Sequence, residues 1–116
     1  MSSFTKEVVL ITGAGSGIGR ATALSFAQAG ARVVVSDVDD DNGQQTVGMI
    51  EEAGGQAAYI HCNVADPEQH KAAVVFAVGT FGRLDIAVNN AGIGGRFARL
   101  IDQLMADWEQ MMAVNL

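Results

Sequence analysis

Apolar and polar positions alternate along the chain in blocks of two kinds. Val8-Val9-Leu10-Ile11 is a continuous, largely β-branched apolar run, the pattern of a strand buried on both faces. Arg32 to Ser36, Ala57 to His61 and Leu84 to Val88 read as three further strands. Between them lie segments of helical spacing. Ile18 to Ala29 carries small residues on one side and stops at Gly30, where glycine takes a left-handed cap. Asn42 to Ala53 forms a second helix, closed by Gly54-Gly55. Asp66-Pro67-Glu68 opens a third, with a cap, a proline at the first helical position and an acid in the first turn. It runs to about Thr80, with Ala72, Val75 and Phe76 as its apolar face. After a Gly- and Arg-containing loop, Gln103 to Leu116 is helical, with Leu104, Trp108, Met111 and Asn115 along one face. The order β-α-β-α-β-α-β-α predicts a parallel sheet with helices on both faces, joined by right-handed crossovers. No stop signal follows Val114-Asn115-Leu116, so the sequence predicts a fold that continues beyond it.

Composition narrows the function classes. The 116 residues match one domain, 1–116, and 49% are hydrophobic, which is enough for a core. Seven Lys and Arg against 13 Asp and Glu give a net charge of −6, which argues against nucleic acid or an anionic membrane as partner. No apolar run reaches a membrane span, and no basic-then-apolar leader opens the chain. Cys62 is the one cysteine and cannot form an internal disulfide, so a reducing cytoplasm fits best. His61, Cys62 and His70 match no metal-ligand spacing, and no metal site is expected. Glycine is the outlier: 14 among 116 residues.

The glycines concentrate in Thr12-Gly13-Ala14-Gly15-Ser16-Gly17-Ile18-Gly19, between the first strand and the first helix. There Gly13 permits a tight turn, Gly17 lets backbone amides approach a pyrophosphate, and Gly19 lets the helix pack closely. First-turn N–H groups and the helix dipole favour a phosphate. A turn that merely connects two elements is the bland alternative. Asp37 closes the second strand, 18 residues after Gly19. A carboxylate there accepts both ribose hydroxyls of an adenosine and repels a 2′-phosphate.

The spacing T-G-x-x-x-G-x-G after the first strand resembles the short-chain dehydrogenase/reductase family. The likeness continues in Asn63-Val64 after the third strand, in Asn89-Asn90-Ala91-Gly92 after the fourth, and in the W-x6-N-L pattern of Trp108 and Asn115. It spans essentially the whole chain. The resemblance implies an α/β, Rossmann-type doubly wound parallel sheet of order 3-2-1-4. It further implies an NAD-dependent oxidoreductase moving hydride between nicotinamide and a secondary alcohol or ketone. Gly13, Ser16, Gly17, Ile18, Gly19, Asp37, Asn63, Val64, Asn90, Ala91 and Gly92 are the implied cofactor residues. NADP-dependent members tend to carry a basic residue where this chain has Ser16 or Val38, so NAD is the expected cofactor. Asn63 stands where many relatives have Asp for the adenine amino group, and its amide oxygen can accept the same bond.

Of the family's Ser, Tyr, Lys and Asn catalytic set, only the Asn matches, as Asn115. Tyr59, the one tyrosine, lies in a strand and is not the Y-x-x-x-K tyrosine, so these 116 residues alone are expected not to catalyse hydride transfer. The resemblance implies a homo-oligomer, dimer or tetramer, with Met111 and Met112 in core or interface packing. Two other classes compete. One is a non-catalytic nucleotide-binding fragment. The other is a methyltransferase using S-adenosylmethionine, which would carry an acid in place of Thr12 and would lack Asn-Asn-Ala-Gly. A downstream Y-x-x-x-K separates them.

Overall fold

The structure is a computed structural model, and it describes residues 6–90. Ala91, Gly92, Trp108, Met111, Met112 and Asn115, with the expected helix at 103–116, lie outside the described residues. Four strands, β1 (Val8–Thr12), β2 (Arg32–Asp37), β3 (Gln56–His61) and β4 (Ile86–Asn89), form one parallel sheet of order β3-β2-β1-β4. The helices α1 (Gly17–Gln28), α2 (Asp40–Glu52) and α3 (Pro67–Phe81) fill the crossovers. The doubly wound α/β expectation, strand order included, therefore holds.

The apolar runs explain the two cores. Along β1, Val9 and Ile11 pack toward α1 and α2 with Phe26, Val33, Val35 and Ile50. Val8 and Leu10 pack on the opposite face with Val34, Cys62, Ala73 and Ala77 of α3. All five residues of β1 are buried, as a central parallel strand covered on both faces requires. Each such aliphatic side chain stabilises the fold by ~1.5–3 kcal/mol relative to exposure.

Two element starts, each by two residues, and one helix face differ from the sequence reading. Asp39 caps α2 by accepting from the Asn42 N–H, so the helix begins at Asp40 rather than Asn42. Strand β4 begins at Ile86 rather than Leu84, because the Asp85 carboxylate turns back to accept from the buried Val8 N–H at 2.8 Å. The face of α3 is rotated from expectation. Ala73 and Ala77 are its buried residues, Phe76 is partly buried against the same core, and Val75 is 64% exposed. Small side chains at Ala73 and Ala77 let the helix lie close to the sheet, and that close approach outweighs the bulkier Val75.

The same clasp secures the lower end of the sheet. Arg83 grips both oxygens of Asp85, and this pairing holds the Asp85 carboxyl below its usual range. Across the sheet, the Arg32 guanidinium donates to the Phe81 carbonyl and lies over the Phe81 ring, tying β2 to the end of α3.

Candidate functional site

The carboxyl ends of β1, β2 and β4 converge on the glycine loop. The chain builds outward from β1 through β2 to β3, then returns to place β4 on the other side of β1. That reversal leaves a crevice at the strand ends, the place where open α/β sheets bind ligands. Gly13 and Gly17 adopt φ of +63° and +56°, a left-handed backbone that other residues take only with strain. Gly19 is set by close approach: a Cβ there would stand 1.9 Å from the Gly13 carbonyl oxygen. The turn, loop and helix start are thus fixed against one another.

The three helix N-termini are not alike. Asp39 and Asp66 cap α2 and α3 with their own carboxylates. Ser16 stands at the cap of α1 in extended conformation and makes no side-chain cap bond, and the first turn of α1 holds no acid. The α1 end therefore keeps its dipole and its first-turn N–H groups for an external acceptor.

Asp37 faces this loop from the tip of β2. Its Oδ2 accepts from the Gly15 N–H at 2.8 Å and its Oδ1 from the Asp39 N–H at 2.9 Å. Both oxygens are held in place, and each keeps a lone pair. The loop is braced from α2 as well: the buried Thr46 hydroxyl donates to the Ala14 carbonyl at 2.8 Å and accepts from Arg20 Nε at 2.9 Å. Arg20 also reaches the Asn42 carbonyl. Thr46 and Arg20 were not among the residues singled out by sequence. A threonine at a buried position beside Val47 and Ile50, on a helix following the glycine loop, is the signal that would have found them.

Beside Asp37 lies a mostly apolar cleft of about 230 Å³, lined by Gly13, Asp37, Val38, Cys62, Asn63 and Val64. Asn63 closes the loop after β3, its Oδ1 accepting from the Ala65 N–H at 3.0 Å. Its amide oxygen is therefore partly engaged already. Cys62 is a free, buried thiol, and burial raises its pKa, with Asp66 adding to the effect.

On the far side of β1, Thr12 links the loop to β4. Its hydroxyl donates to Asn89 Oδ1 (3.1 Å), with the Val88 carbonyl at 3.4 Å, and accepts from the Asn90 N–H at 3.0 Å. Asn90 Nδ2 stands 3.5 Å from the Gly13 carbonyl. Asn90 Oδ1 is buried with no hydrogen-bond partner among the described residues. Gly13, Ser16, Gly17, Ile18, Gly19, Asp37, Asn63, Val64 and Asn90 thus gather at one edge of the sheet. Among the described residues, no group of three or more His, Cys, Asp or Glu side chains could hold a metal ion, and no helix is long and apolar enough to cross a membrane.

Known proteins resemble this chain in sequence and fold. A short chain dehydrogenase family model matches residues 7–116. Cyclohexanol dehydrogenase of Acinetobacter sp. (strain SE19) is 49% identical over 115 residues, covering 99% of this chain and 46% of that protein. A crystal structure of a short chain dehydrogenase/reductase from Burkholderia phymatum in complex with NAD superimposes with TM-score 0.70 at 34% identity, covering 75% of this chain and 31% of that one. A 7α-hydroxysteroid dehydrogenase complexed with NADH and 7-oxo glycochenodeoxycholic acid gives TM-score 0.72 at 41% identity, covering 73% of this chain and 33% of that one. The chain spans somewhat under half the length of the curated relatives it matches. With the motif, the sheet order and these likenesses in agreement, the chain belongs to the short-chain dehydrogenase family.

Proposed function

We propose that the site binds a nicotinamide adenine dinucleotide, NAD in preference to NADP, for a dehydrogenase acting on a secondary alcohol or ketone. The observation that carries this is the pairing of an uncapped α1 with an Asp37 carboxylate fixed on the Gly15 amide. The first turn of α1 supplies N–H donors to the diphosphate. Asp37 accepts from the adenosine ribose hydroxyls, and its negative charge opposes a 2′-phosphate. Val38 and Val64 offer apolar walls to the adenine in the neighbouring cleft, and Asn63 offers polar atoms at its rim.

The residues present fit such a ligand. Gly17 has open space where a Cβ would stand, and Asn90 Oδ1 is a buried acceptor that a ribose hydroxyl can satisfy. When bound, the nicotinamide supplies or accepts the hydride. Two structural relatives hold NAD or NADH, and two relatives are named for cyclohexanol and 7α-hydroxysteroid dehydrogenation. Ala91 and Gly92 extend the cofactor site in this reading, and Asn115 contributes to catalysis by holding a water in the proton relay. The whole protein acts as a homo-oligomer in the cytoplasm.

Isothermal titration of the chain with NAD and NADP tests the reading. Saturable NAD binding, tighter than NADP and narrowed toward parity by Asp37→Ala, is the expected result. NADP binding tighter than NAD would overturn it.

A further inference from the structure

Four acids crowd the junction between β2 and α2: Asp37, Asp39, Asp40 and Asp41. Like charges this close repel, yet Asp37 holds a defined position on the glycine loop. Two of its neighbours are diverted. Asp39 caps α2. Asp40 is drawn the other way, toward β3, where its Oδ1 accepts from the Tyr59 hydroxyl at 2.5 Å and lies 2.8 Å from His61 Nδ1. These two bonds, Tyr59 first, keep the Asp40 carboxyl below its usual pKa.

Tyr59 reaches both sides of the junction. The same hydroxyl stands 2.9 Å from the Asp37 carbonyl oxygen, which also accepts from the Cys62 N–H at 3.0 Å. The one phenolic proton is shared between the Asp40 carboxylate and the Asp37 carbonyl oxygen, so the hydroxyl sits between the two residues that flank the Val38–Asp39 link. That link bears on the site directly. The Asp39 N–H holds Asp37 Oδ1, and Val38 walls the apolar cleft. The ring of Tyr59 is seated equally firmly: a Cβ at Gly43 of α2 would stand 2.1 Å from Tyr59 Cε1. Only a glycine lets α2 lie on the ring.

We infer that Tyr59 is a positioning residue for nucleotide binding: its hydroxyl fixes the Val38–Asp39 link and so aims the Asp37 carboxylate at the vicinal diol of an adenosine ribose. This deepens the proposed function and rests on it. A phenol without its hydroxyl leaves the fold and the Gly43 contact in place but frees the link. Affinity for the diol then falls by more than affinity for the adenine and phosphate.

The test compares AMP with 2′,3′-dideoxy-AMP by ligand-observed NMR titration of the chain, with urea unfolding as the check on folding. Wild type is expected to prefer AMP. Tyr59→Phe should narrow that preference roughly threefold to tenfold, the size of one hydrogen bond, with dideoxy-AMP affinity reduced less than AMP affinity. Gly43→Ala, which displaces the ring but keeps the hydroxyl, should narrow it likewise and provides the test should Tyr59→Phe not fold. Asp37→Ala should abolish it. A folded Tyr59→Phe that retains the full preference, or loses affinity for both ligands equally, overturns the role of Tyr59. An Asp37→Ala variant that still prefers AMP instead overturns the assignment of Asp37 itself.

Discussion

Replacing Gly19 with alanine should weaken the fold, although alanine is the better helix former. A Cβ at that position would stand 1.9 Å from the Gly13 carbonyl oxygen, 2.6 Å from its carbon and 2.7 Å from Asn90 Nδ2. Two of those three atoms are backbone, so no rotamer change relieves the overlap. Overpacking typically costs ~1–3 kcal/mol, and a backbone clash this close belongs at the upper end. Exchanging glycine for alanine inside a helix returns about 1 kcal/mol. The net expectation is destabilisation by about 2 kcal/mol. Gly48 is the matched control: it lies within α2, is exposed, and a Cβ there meets nothing within 4 Å. Gly48→Ala should therefore stabilise by ~0.5–1 kcal/mol. Urea unfolding followed by far-ultraviolet circular dichroism measures both. A Gly19→Ala variant as stable as Gly48→Ala would refute the close packing of α1 on the loop.

Other consequences follow from the clasps at each end of the sheet. Asp85→Ala leaves the buried Val8 N–H without its acceptor and should cost ~1–3 kcal/mol in unfolding free energy. Because the folded Asp85 pKa is depressed, chiefly by Arg83, its contribution is complete above the ordinary value of 3.8 and lost as pH falls through the folded one. Acid titrations of stability should therefore show a shallower decline below that value in Asp85→Ala than in wild type. Thr46→Val removes the donor to the Ala14 carbonyl and the acceptor for Arg20 while conserving shape, and should destabilise by about 1–2 kcal/mol in the same urea assay. An unchanged midpoint would show that the brace contributes nothing.

Much of this was legible in the sequence because it depends on local chemistry. Unbroken runs such as Val8 to Ile11 admit few readings other than a doubly covered strand, and the glycine spacing locates the loop before any coordinates. The Asp66-Pro67 start of α3 is written in three residues. What escaped depends on distance in space. The face of α3 is not legible in the sequence because alanines and valines occur around the whole helix, leaving the approach to the sheet to choose among them. The start of β4 was misplaced because Asp85 answers to Val8, far away along the chain. By sequence alone Tyr59 is only a non-catalytic strand residue. Its contacts with Asp37, Asp40 and Gly43 join β2, α2 and β3, and no spacing rule announces them.

The most direct test of a dinucleotide site at this edge of the sheet is residue-resolved. Backbone amide spectra of the isotopically labelled chain, recorded during titration with NADH, report which N–H groups meet the ligand. The account predicts saturable shifts concentrated at Gly13 to Gly19, Asp37 to Asp39, Asn63, Val64 and Asn90, with Gly30, Gly54 and Gly55 at the opposite end of the strands unmoved. Shifts centred on that opposite end, or no saturable change in the glycine loop, would contradict it.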